Sequence, residues 1–240
     1  MAPFIVAYLL FGAWSQASWA QSPADLTPYA GARDYGTIIR LSKWTSSVIN
    51  VCWENPNSDN SEARDTVRRA VEQTWGAYSG LVFQGWSACL QDTQGIRILL
   101  SDEHSRVLAI GRFLDGRPGG MILNVSFRRW NPTCRLRLQF CIHAIAVHEF
   151  GHAIGLTHEQ NRPDAPEQCK ADTQGSVGDL LVTEYDPDSI MNYCNPNWNG
   201  NGLLSKLDIV TVRRIYYEKT LAPVSAGATA VDLARTPAVN

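Results

Sequence analysis

The chain has 240 residues, of which 45% are hydrophobic and 18% are charged, so it can bury one sizeable core. Its formal net charge is −2 at pH 7, which gives no reason to expect a nucleic-acid partner. The composition also excludes a fibrous or disordered chain. We therefore expect a globular protein with one main domain and short appendages.

The first 20 residues predict a secretory signal peptide. An apolar run from Phe4 to Trp14 is followed by small residues, and Ser18-Trp19-Ala20 fits a cleavage site. The alternative is a membrane anchor, but this run is too short to cross a bilayer about 30 Å thick. We expect a secreted, extracellular protein that does not contact the membrane after signal removal.

The rest of the chain divides into three parts by composition. Residues 21–42 are rich in Ala, Pro, Gly and Asp, and predict a short pro-segment or linker. Residues 43–220 hold the segments with clear hydrophobic periodicity and form the main domain. Residues 221–240 are rich in Ala, Val, Pro and Thr, and predict a flexible C-terminal tail.

The main domain contains predicted strands and helices in a mixed order. Hydrophobic spacing favours a helix where Ala63, Val67, Val71 and Trp75 recur every fourth residue, and strands where short apolar runs end in turn residues. Packed layers of sheet and helix follow from this order. In chain order we expect a strand at Val48–Glu54, a helix at Ser61–Tyr78, strands at Leu81–Trp86, Gly95–Leu100, Arg106–Phe113 and Met121–Phe127, and helices at Phe140–Leu156 and Lys206–Tyr217.

The six cysteines agree with an oxidising compartment, because their even number lets all of them pair. None of them forms a C-x-x-C pair, which argues against a cysteine-ligated zinc site. Sequence alone leaves many connectivities open. The pairing that we favour joins Cys52 to Cys89, Cys134 to Cys141, and Cys169 to Cys194.

The strongest chemical signal is the pattern H-E-x-x-H-x-x-G-x-x-H from His148 to His158. His148 and His152 are four residues apart, so on a helix they project from one face and can share a metal. A continued helix would turn residue 158 about 240° away from that face. The helix must therefore end, and Gly155 can adopt the left-handed conformation that turns the chain back. His158 then completes three nitrogen ligands, which leave a catalytic zinc ion one open position.

Glu149 lies between the first two histidines and supplies the expected base. A carboxylate beside a zinc-activated water can take a proton as the water attacks a carbonyl, and can pass that proton to the leaving amine. The alternative is that these are ordinary helix residues, but three of the five histidines in the chain fall within this motif. His104 and His143 lie outside the ligand spacing, and we expect neither to be needed.

The motif resembles that of the metzincin clan of zinc peptidases. Glu159, directly after His158, resembles the astacin family in particular. A second block, Tyr185–Tyr193, resembles the astacin segment that contains the Met-turn, and Leu204–Ile209 resembles the start of the C-terminal helix of the clan. The resemblance implies an α+β fold with a twisted, mostly parallel sheet, an antiparallel edge strand, an active-site helix and a C-terminal helix.

The resemblance also implies roles for single residues. Met191 would lie beneath the metal, and Tyr193 would be an extra zinc ligand that swings away to hydrogen-bond the transition-state oxyanion. Glu159 would be tied to the buried N-terminus of the mature enzyme. Asp25 or Asp34 could block the zinc in a pro-form, whereas a cysteine-based block is excluded because residues 21–42 contain no cysteine. The cysteine positions depart from the usual astacin disulfide pattern.

The expected function is that of a zinc metalloendopeptidase with one catalytic Zn²⁺ and with protein or peptide substrates. Three alternatives stay open: a serralysin-like or matrixin-like peptidase, a non-catalytic zinc-containing binding protein on the same fold, and an amidase with a non-protein substrate. Because Glu149 and all three ligands are present, we favour the endopeptidase.

The substrate-binding residues stay unknown at this point. The clan pairs an extended substrate with an edge strand, for which Arg106–Gly111 is the candidate and Gly119–Met121 the alternative, although either could be an interior strand.

Other polar residues have two possible interpretations each. Four arginines could attract acidic substrates or form a solvated loop, and five aspartates could hold calcium, although their spacing fits no known calcium-binding loop. These residues are Arg128, Arg129, Arg135 and Arg137, and Asp164, Asp172, Asp179, Asp186 and Asp188; a glycosylation sequon begins at Asn124 within a predicted strand.

Overall fold

The computed structural model describes residues 37–172 and 174–217, without the side chain of residue 172. The predicted signal peptide, residues 21–36 of the predicted pro-segment and the C-terminal tail lie outside these residues, and so do Asp25 and Asp34. Within the described ranges, no helix combines the length and the apolar character needed to cross a membrane.

The strands of the described residues form two sheets. These strands are β1 Thr37–Ile38, β2 Val48–Trp53, β3 Val82–Ala88, β4 Ile96–Leu100, β5 Arg106–Val107, β6 Met121–Leu123 and β7 Leu180–Leu181. The larger sheet has five strands in the order β3-β2-β4-β6-β5, and every pairing is parallel except that of β5 with β6 at the edge. The smaller sheet is an antiparallel pair of β1 and β7.

The described residues contain five α-helices and several shorter helical turns. The helices are α1 Ser61–Val71, α2 Ala77–Ser79, α3 Pro132–Leu136, α4 Leu138–Ala153 and α5 Lys206–Val212, with 3₁₀ segments at Arg40–Ser42, Gly111–Leu114, Glu159–Asn161, Glu167–Asp172 and Trp198–Gly202. A π-helical turn, Glu72–Gly76, joins α1 to α2, and a second one, Arg213–Tyr217, follows α5. Ser205 caps α5: its side chain accepts from the Asp208 backbone N–H, and the Asp208 carboxylate accepts from the Ser205 backbone N–H.

Aromatic side chains of the core fix helix α4 against the sheet. Phe150 on α4 lies edge-on to Phe83, with ring centroids 5.6 Å apart, and stacks on Trp86 at 5.9 Å. Two buried indoles also bind carbonyls of α4: Trp75 Nε1 donates to Val147 O and Trp44 Nε1 donates to Ala153 O, both at 2.7 Å. Packing and hydrogen bonds therefore fix the position of the helix that carries the histidine motif against the core.

The structure confirms the α+β class, the mostly parallel sheet and its antiparallel edge strand. It also confirms the preferred disulfide pairing. The Cα–Cα distances are 4.9 Å for Cys52–Cys89, 5.6 Å for Cys134–Cys141 and 5.5 Å for Cys169–Cys194.

Two predicted strands are wrong in length. The strand predicted at Arg106–Phe113 ends at Val107, which pairs with Met121, the first residue of β6. Further along, Gly111 has a φ of +57° at a close approach to the Ser42 backbone and opens a 3₁₀ turn. The strand predicted at Met121–Phe127 ends at Leu123. The side chain of Asn124 accepts from the backbone N–H of Ser126 and of Phe127, at 3.0 and 2.8 Å, and so replaces strand pairing with a turn.

Candidate metal centre

The end of helix α4 brings the three motif histidines together. His148 and His152 lie one turn apart on α4, which ends at Ala153. Gly155 then has a φ of +106°, a conformation that glycine adopts at low energy. The Leu156 backbone N–H donates to Gly151 O at 3.0 Å, so the chain folds back on the last turn and carries His158 to the ligand face, as the sequence predicts.

The Nε2 atoms of the three histidines converge. Nε2 of His158 lies 3.1 Å from that of His152 and 3.3 Å from that of His148. Nitrogen atoms that share one tetrahedral zinc ion are separated by roughly 3.3 Å, given Zn–N bonds of about 2.0–2.1 Å. Among the described residues, these side chains are the only group of three whose ligand atoms meet in this way. The donor set fits zinc.

Each ring is oriented by a backbone carbonyl on its far side. The Nδ1 atoms of His148, His152 and His158 lie 2.8, 2.9 and 2.8 Å from the carbonyls of Ile190, Leu156 and Gln174, respectively. A proton on Nδ1 is needed for these hydrogen bonds, so the Nε2 lone pairs are left facing the centre of the cluster. Such a carbonyl contact fixes both the tautomer and the ring of a metal ligand.

Burial keeps the cluster in the uncharged form that binds metal. Burial, followed by the neighbouring His158, lowers the pKa of His148 to about 3. Burial and the other two rings hold the pKa of His152 well below its ordinary value, and burial lowers the pKa of His158. All three rings are therefore neutral at physiological pH, as metal coordination requires.

Glu149 places a buried carboxyl group at the same site. It lines a cleft together with His152, His158 and Tyr193, and burial raises its pKa to about 8. Its Oε2 atom is buried and has no hydrogen-bond partner among the described residues. Because buried polar atoms normally have a hydrogen-bond partner, we expect this carboxyl oxygen to bind a polar group that enters the cleft.

Tyr193 covers the cluster from the solvent side. Its ring stacks on His148, with centroids 5.2 Å apart and an interplanar angle of 13°, and lies 4.4 Å from the ring of His158. Its backbone N–H donates to Gln160 Oε1 at 3.0 Å. Burial, followed by Glu149, raises the pKa of Tyr193 to about 12. The hydroxyl is therefore a protonated donor at neutral pH.

The turn that contains Met191 is fixed from below by α5. Asp208 accepts from Ser189 Oγ at 2.7 Å and from the Ile190 backbone N–H at 3.0 Å. Ser189 Oγ in turn accepts from the Met191 backbone N–H at 3.0 Å. This network sets the Ile190 carbonyl, which orients His148.

Glu159 is buried directly beside the third histidine. One of its carboxyl oxygens lies 3.2 Å from Nη1 of Arg162 and accepts from the Asp186 backbone N–H at 2.9 Å. Burial raises the pKa of Glu159 to about 8, although Arg162 opposes the shift. The expected contact with a mature N-terminus concerns residues outside the described ranges.

Two clefts of about 370 Å³ each meet at Glu149 and Tyr193. The first is lined by Arg106–Ile110 together with His152 and His158, so the candidate edge segment lies on the side of the histidine cluster, whereas the alternative Gly119–Met121 does not line it. The second cleft is lined by Trp130, Trp198 and neighbouring residues.

Several cleft residues were not expected from the motifs. They are Ser105, Trp130, Gln174, Pro196 and Trp198, and His104 also lines both clefts. One usable signal was the sequence Asn-Pro-Asn-Trp-Asn at 195–199. A tryptophan in such a polar loop lacks the hydrophobic periodicity that would place it in the core.

Three of the five candidate calcium-binding aspartates take ordinary protein partners. Asp164 pairs with Arg162 at 2.7 Å, Asp179 lies 3.6 Å from Arg40, and Asp186 accepts from Ser205 Oγ. Asn124 of the sequon is buried and its amide donates to Asp102 at 3.2 Å, so a glycan at that position would disrupt the fold. The four arginines of the basic run are exposed and outside the lining of both clefts: Arg128, Arg129, Arg135 and Arg137.

Comparison with known proteins gives matches in both sequence and fold. Residues 134–175 match the Astacin peptidase family. Protein SpAN of Strongylocentrotus purpuratus is 41% identical over 71 residues, a match that covers 23% of this chain and spans only 11% of that relative. Two structures of myroilysin align with TM-scores of 0.57 and 0.50, at 18% and 19% identity, covering 75% and 73% of this chain and 98% and 86% of theirs. The segment that holds the histidine cluster is thus similar to the Astacin peptidase family, and the chain shares its fold with myroilysin.

Proposed function

We propose that this astacin-like chain is a secreted zinc-dependent endopeptidase that hydrolyses peptide bonds of protein or peptide substrates. In this proposal His148, His152 and His158 hold one Zn²⁺, Glu149 is the general base and acid, and Tyr193 stabilises the transition state. When bound, zinc supplies Lewis-acid activation of water and of the substrate carbonyl.

The observation that carries the proposal is the convergence of three neutral imidazoles beside an unpartnered carboxyl group. Nε2 of His158 lies 3.1 Å from that of His152 and 3.3 Å from that of His148. Glu149 Oε2 is buried without a hydrogen-bond partner among the described residues. A structural zinc site normally has four protein ligands, whereas the cluster has three within the described residues. An open cleft beside three ligands supports catalysis.

Glu149 and Tyr193 have complementary tasks in this proposal. The Glu149 carboxylate takes a proton from the attacking water and later gives it to the leaving amine. The Tyr193 hydroxyl, which stays protonated because its pKa is raised, donates a hydrogen bond to the oxyanion that develops on the substrate carbonyl. Glu149 acts only when ionised, and a cation at the cluster would oppose the rise in its pKa that burial causes.

An extended peptide suits the cleft better than a folded ligand. Segment Arg106–Ile110 borders the cleft, and β5 pairs on one side with β6 while its other edge has no strand partner among the described residues. An extended substrate can add to such an edge through backbone hydrogen bonds. Secretion is supported by the three disulfides, which persist in oxidising compartments.

The proposal is tested by digestion of a mixed peptide library with the purified full chain, after any N-terminal processing, with and without a zinc chelator. We expect cleavage at internal bonds that the chelator abolishes and added zinc restores. Bound zinc without any cleavage would instead support the non-catalytic binding protein, and chelator-insensitive cleavage would contradict the metal mechanism.

A further inference from the structure

The second cleft is positioned to receive a side chain that adjoins the cleaved bond. It reaches His148, Glu149 and Tyr193, and it is about 370 Å³ in volume. Ile145, one turn before His148 on α4, forms part of its floor and is buried. A space of this size next to the reacting groups has room for the largest natural side chains.

Two indole rings from separate segments flank this cleft. Trp130 lies edge-on to His104, with ring centroids 4.5 Å apart. Trp198 is 39% exposed and its ring centroid lies 6.2 Å from that of Phe140. Trp130 is half-buried and Trp198 is exposed. Indole surface of this kind beside a reacting group is apolar area that a ligand can cover.

Two of the four amide side chains in the lining, those of Asn192 and Asn195, are already occupied by the protein. Asn192 Nδ2 donates to Tyr185 Oη at 2.9 Å and its Oδ1 accepts from the Cys194 backbone N–H at 3.0 Å. Asn195 Nδ2 donates to Ser189 O at 3.3 Å and its Oδ1 accepts from the Asn197 backbone N–H at 2.8 Å. Both asparagines are buried, so neither is free to pair with a polar substrate group.

The lining also lacks charged groups that would pair with a charged substrate. Among the described residues that form it, the only ionisable side chains are two histidines, Glu149 and Tyr193, without a lysine, arginine or aspartate. Arg106 lines the first cleft, where its Nη2 pairs with Glu103 at 2.9 Å. An aspartate or lysine side chain that entered the second cleft would lose water without gaining an ion pair beyond the reacting groups themselves.

We infer that the second cleft selects an aromatic residue of the substrate next to the cleaved bond, with Trp130 and Trp198 as the specificity-determining residues. This inference rests on the proposed endopeptidase function and adds the class of substrate. Offset or edge-to-face contacts with two indoles favour Phe, Tyr or Trp over a small or charged residue.

The test uses the zinc-loaded protein and fluorogenic peptides that differ only at the positions on either side of the cleaved bond. Phe, Tyr, Ala, Asp and Lys are compared by kcat/KM. We expect the aromatic peptides to be cleaved at least about tenfold faster than the Ala, Asp and Lys peptides. Trp198→Ala and Trp130→Ala should each lower the ratio of kcat/KM for the Phe peptide to kcat/KM for the Ala peptide by about tenfold.

Phe113→Ala is the matched control, because Phe113 is an exposed aromatic residue outside the lining of both clefts. It should leave the Phe-to-Ala ratio unchanged. Trp198→Phe should keep most of the preference, which separates loss of the ring from general damage to the loop. Cleavage that favours Asp, Lys or Ala, or a ratio that neither tryptophan variant changes, would overturn the inference alone. Failure to cleave any peptide despite bound zinc would overturn the proposed function with it.

Discussion

The sulfur of Met191 packs against the backbone of Gly151, in the space that a side chain at position 151 would occupy. Gly151 lies between Glu149 and His152 on α4, and the ring of Trp75 closes the same space, 3.2 Å from where a Cβ would stand. The turn beneath the histidine cluster can approach the helix this closely only because residue 151 has no side chain.

Gly151→Ala should therefore destabilise the protein. In an open helix this change would stabilise by up to about 1 kcal/mol through helix propensity, but here overpacking should lower the free energy of unfolding by about 1–3 kcal/mol. Urea unfolding of the zinc-loaded protein measures the change. In the double variant that also carries Met191→Ala, the total loss in the free energy of unfolding should be smaller than the sum of the losses in the two single variants. Strict additivity would show that the two residues do not interact.

Glu149→Ala should keep zinc bound and lose most turnover, because it removes the proposed base and leaves every ligand in place. The expected decrease in kcat is about 10²–10⁴-fold. Metal content by atomic spectroscopy and peptide cleavage are measured on the same sample. Activity near that of the unchanged protein would remove Glu149 from the mechanism.

Tyr193→Phe should lower kcat more than it weakens zinc binding. The ring that stacks on His148 stays, whereas the hydroxyl proposed to bind the oxyanion is lost, which predicts a decrease of about 10²–10³-fold in kcat. Steady-state kinetics are compared with a zinc titration. An unchanged kcat, or a loss explained entirely by weaker zinc affinity, would contradict the proposed role.

Asn161→Ala should weaken zinc binding through His158. The Asn161 amide donates to the carbonyls of Gln174 and Ser176 at 2.6 and 3.0 Å and accepts from the Gln174 backbone N–H at 3.1 Å. The Gln174 carbonyl is the one that orients His158. Loss of such a supporting contact lowers metal affinity by about 10–100-fold. Competition with a fluorescent chelator tests this, and an unchanged affinity would show that the loop needs no support from Asn161.

His143 should make the protein less stable as the pH falls. Its Nε2 lies 3.0 Å from Gly202 O, and burial lowers its pKa below the ordinary value of 6.5. The unfolded chain therefore takes up this proton more readily, so stability is lost as the pH drops from about 6.5 towards the lower folded pKa.

The measurement is urea unfolding at pH 7.5 and pH 5 in excess zinc. His143→Gln keeps a donor for the Gly202 carbonyl without a group that titrates in this range. The variant should lose less stability than the unchanged protein between the two pH values. Equal losses would show that His143 does not contribute to the pH dependence of stability between these two pH values.

The metal centre could be predicted because its geometry is local. The four-residue spacing of His148 and His152 fixes their common face on any helix, and Gly155 marks where the helix must end for His158 to join them. The parallel sheet and its antiparallel edge followed from a family resemblance, and the structure confirms them.

The clefts could not be predicted because tertiary contacts set them. Gln174 reaches His158 through a loop tied to the Met191 segment by the disulfide Cys169–Cys194, and no periodic pattern marks such a loop. The strand that ends at Leu123 was overextended because the side chain of Asn124 competes with strand pairing, which hydrophobic alternation alone does not reveal.

The most direct test of the central claim is a zinc titration of the metal-free protein with cleavage of an internally quenched peptide followed at each step. We expect activity to rise linearly and level off at one bound zinc per chain, and Glu149→Ala to bind the same single equivalent without activity. Full occupancy of the histidine cluster without cleavage, or cleavage that is complete before zinc is added, would contradict the proposed mechanism.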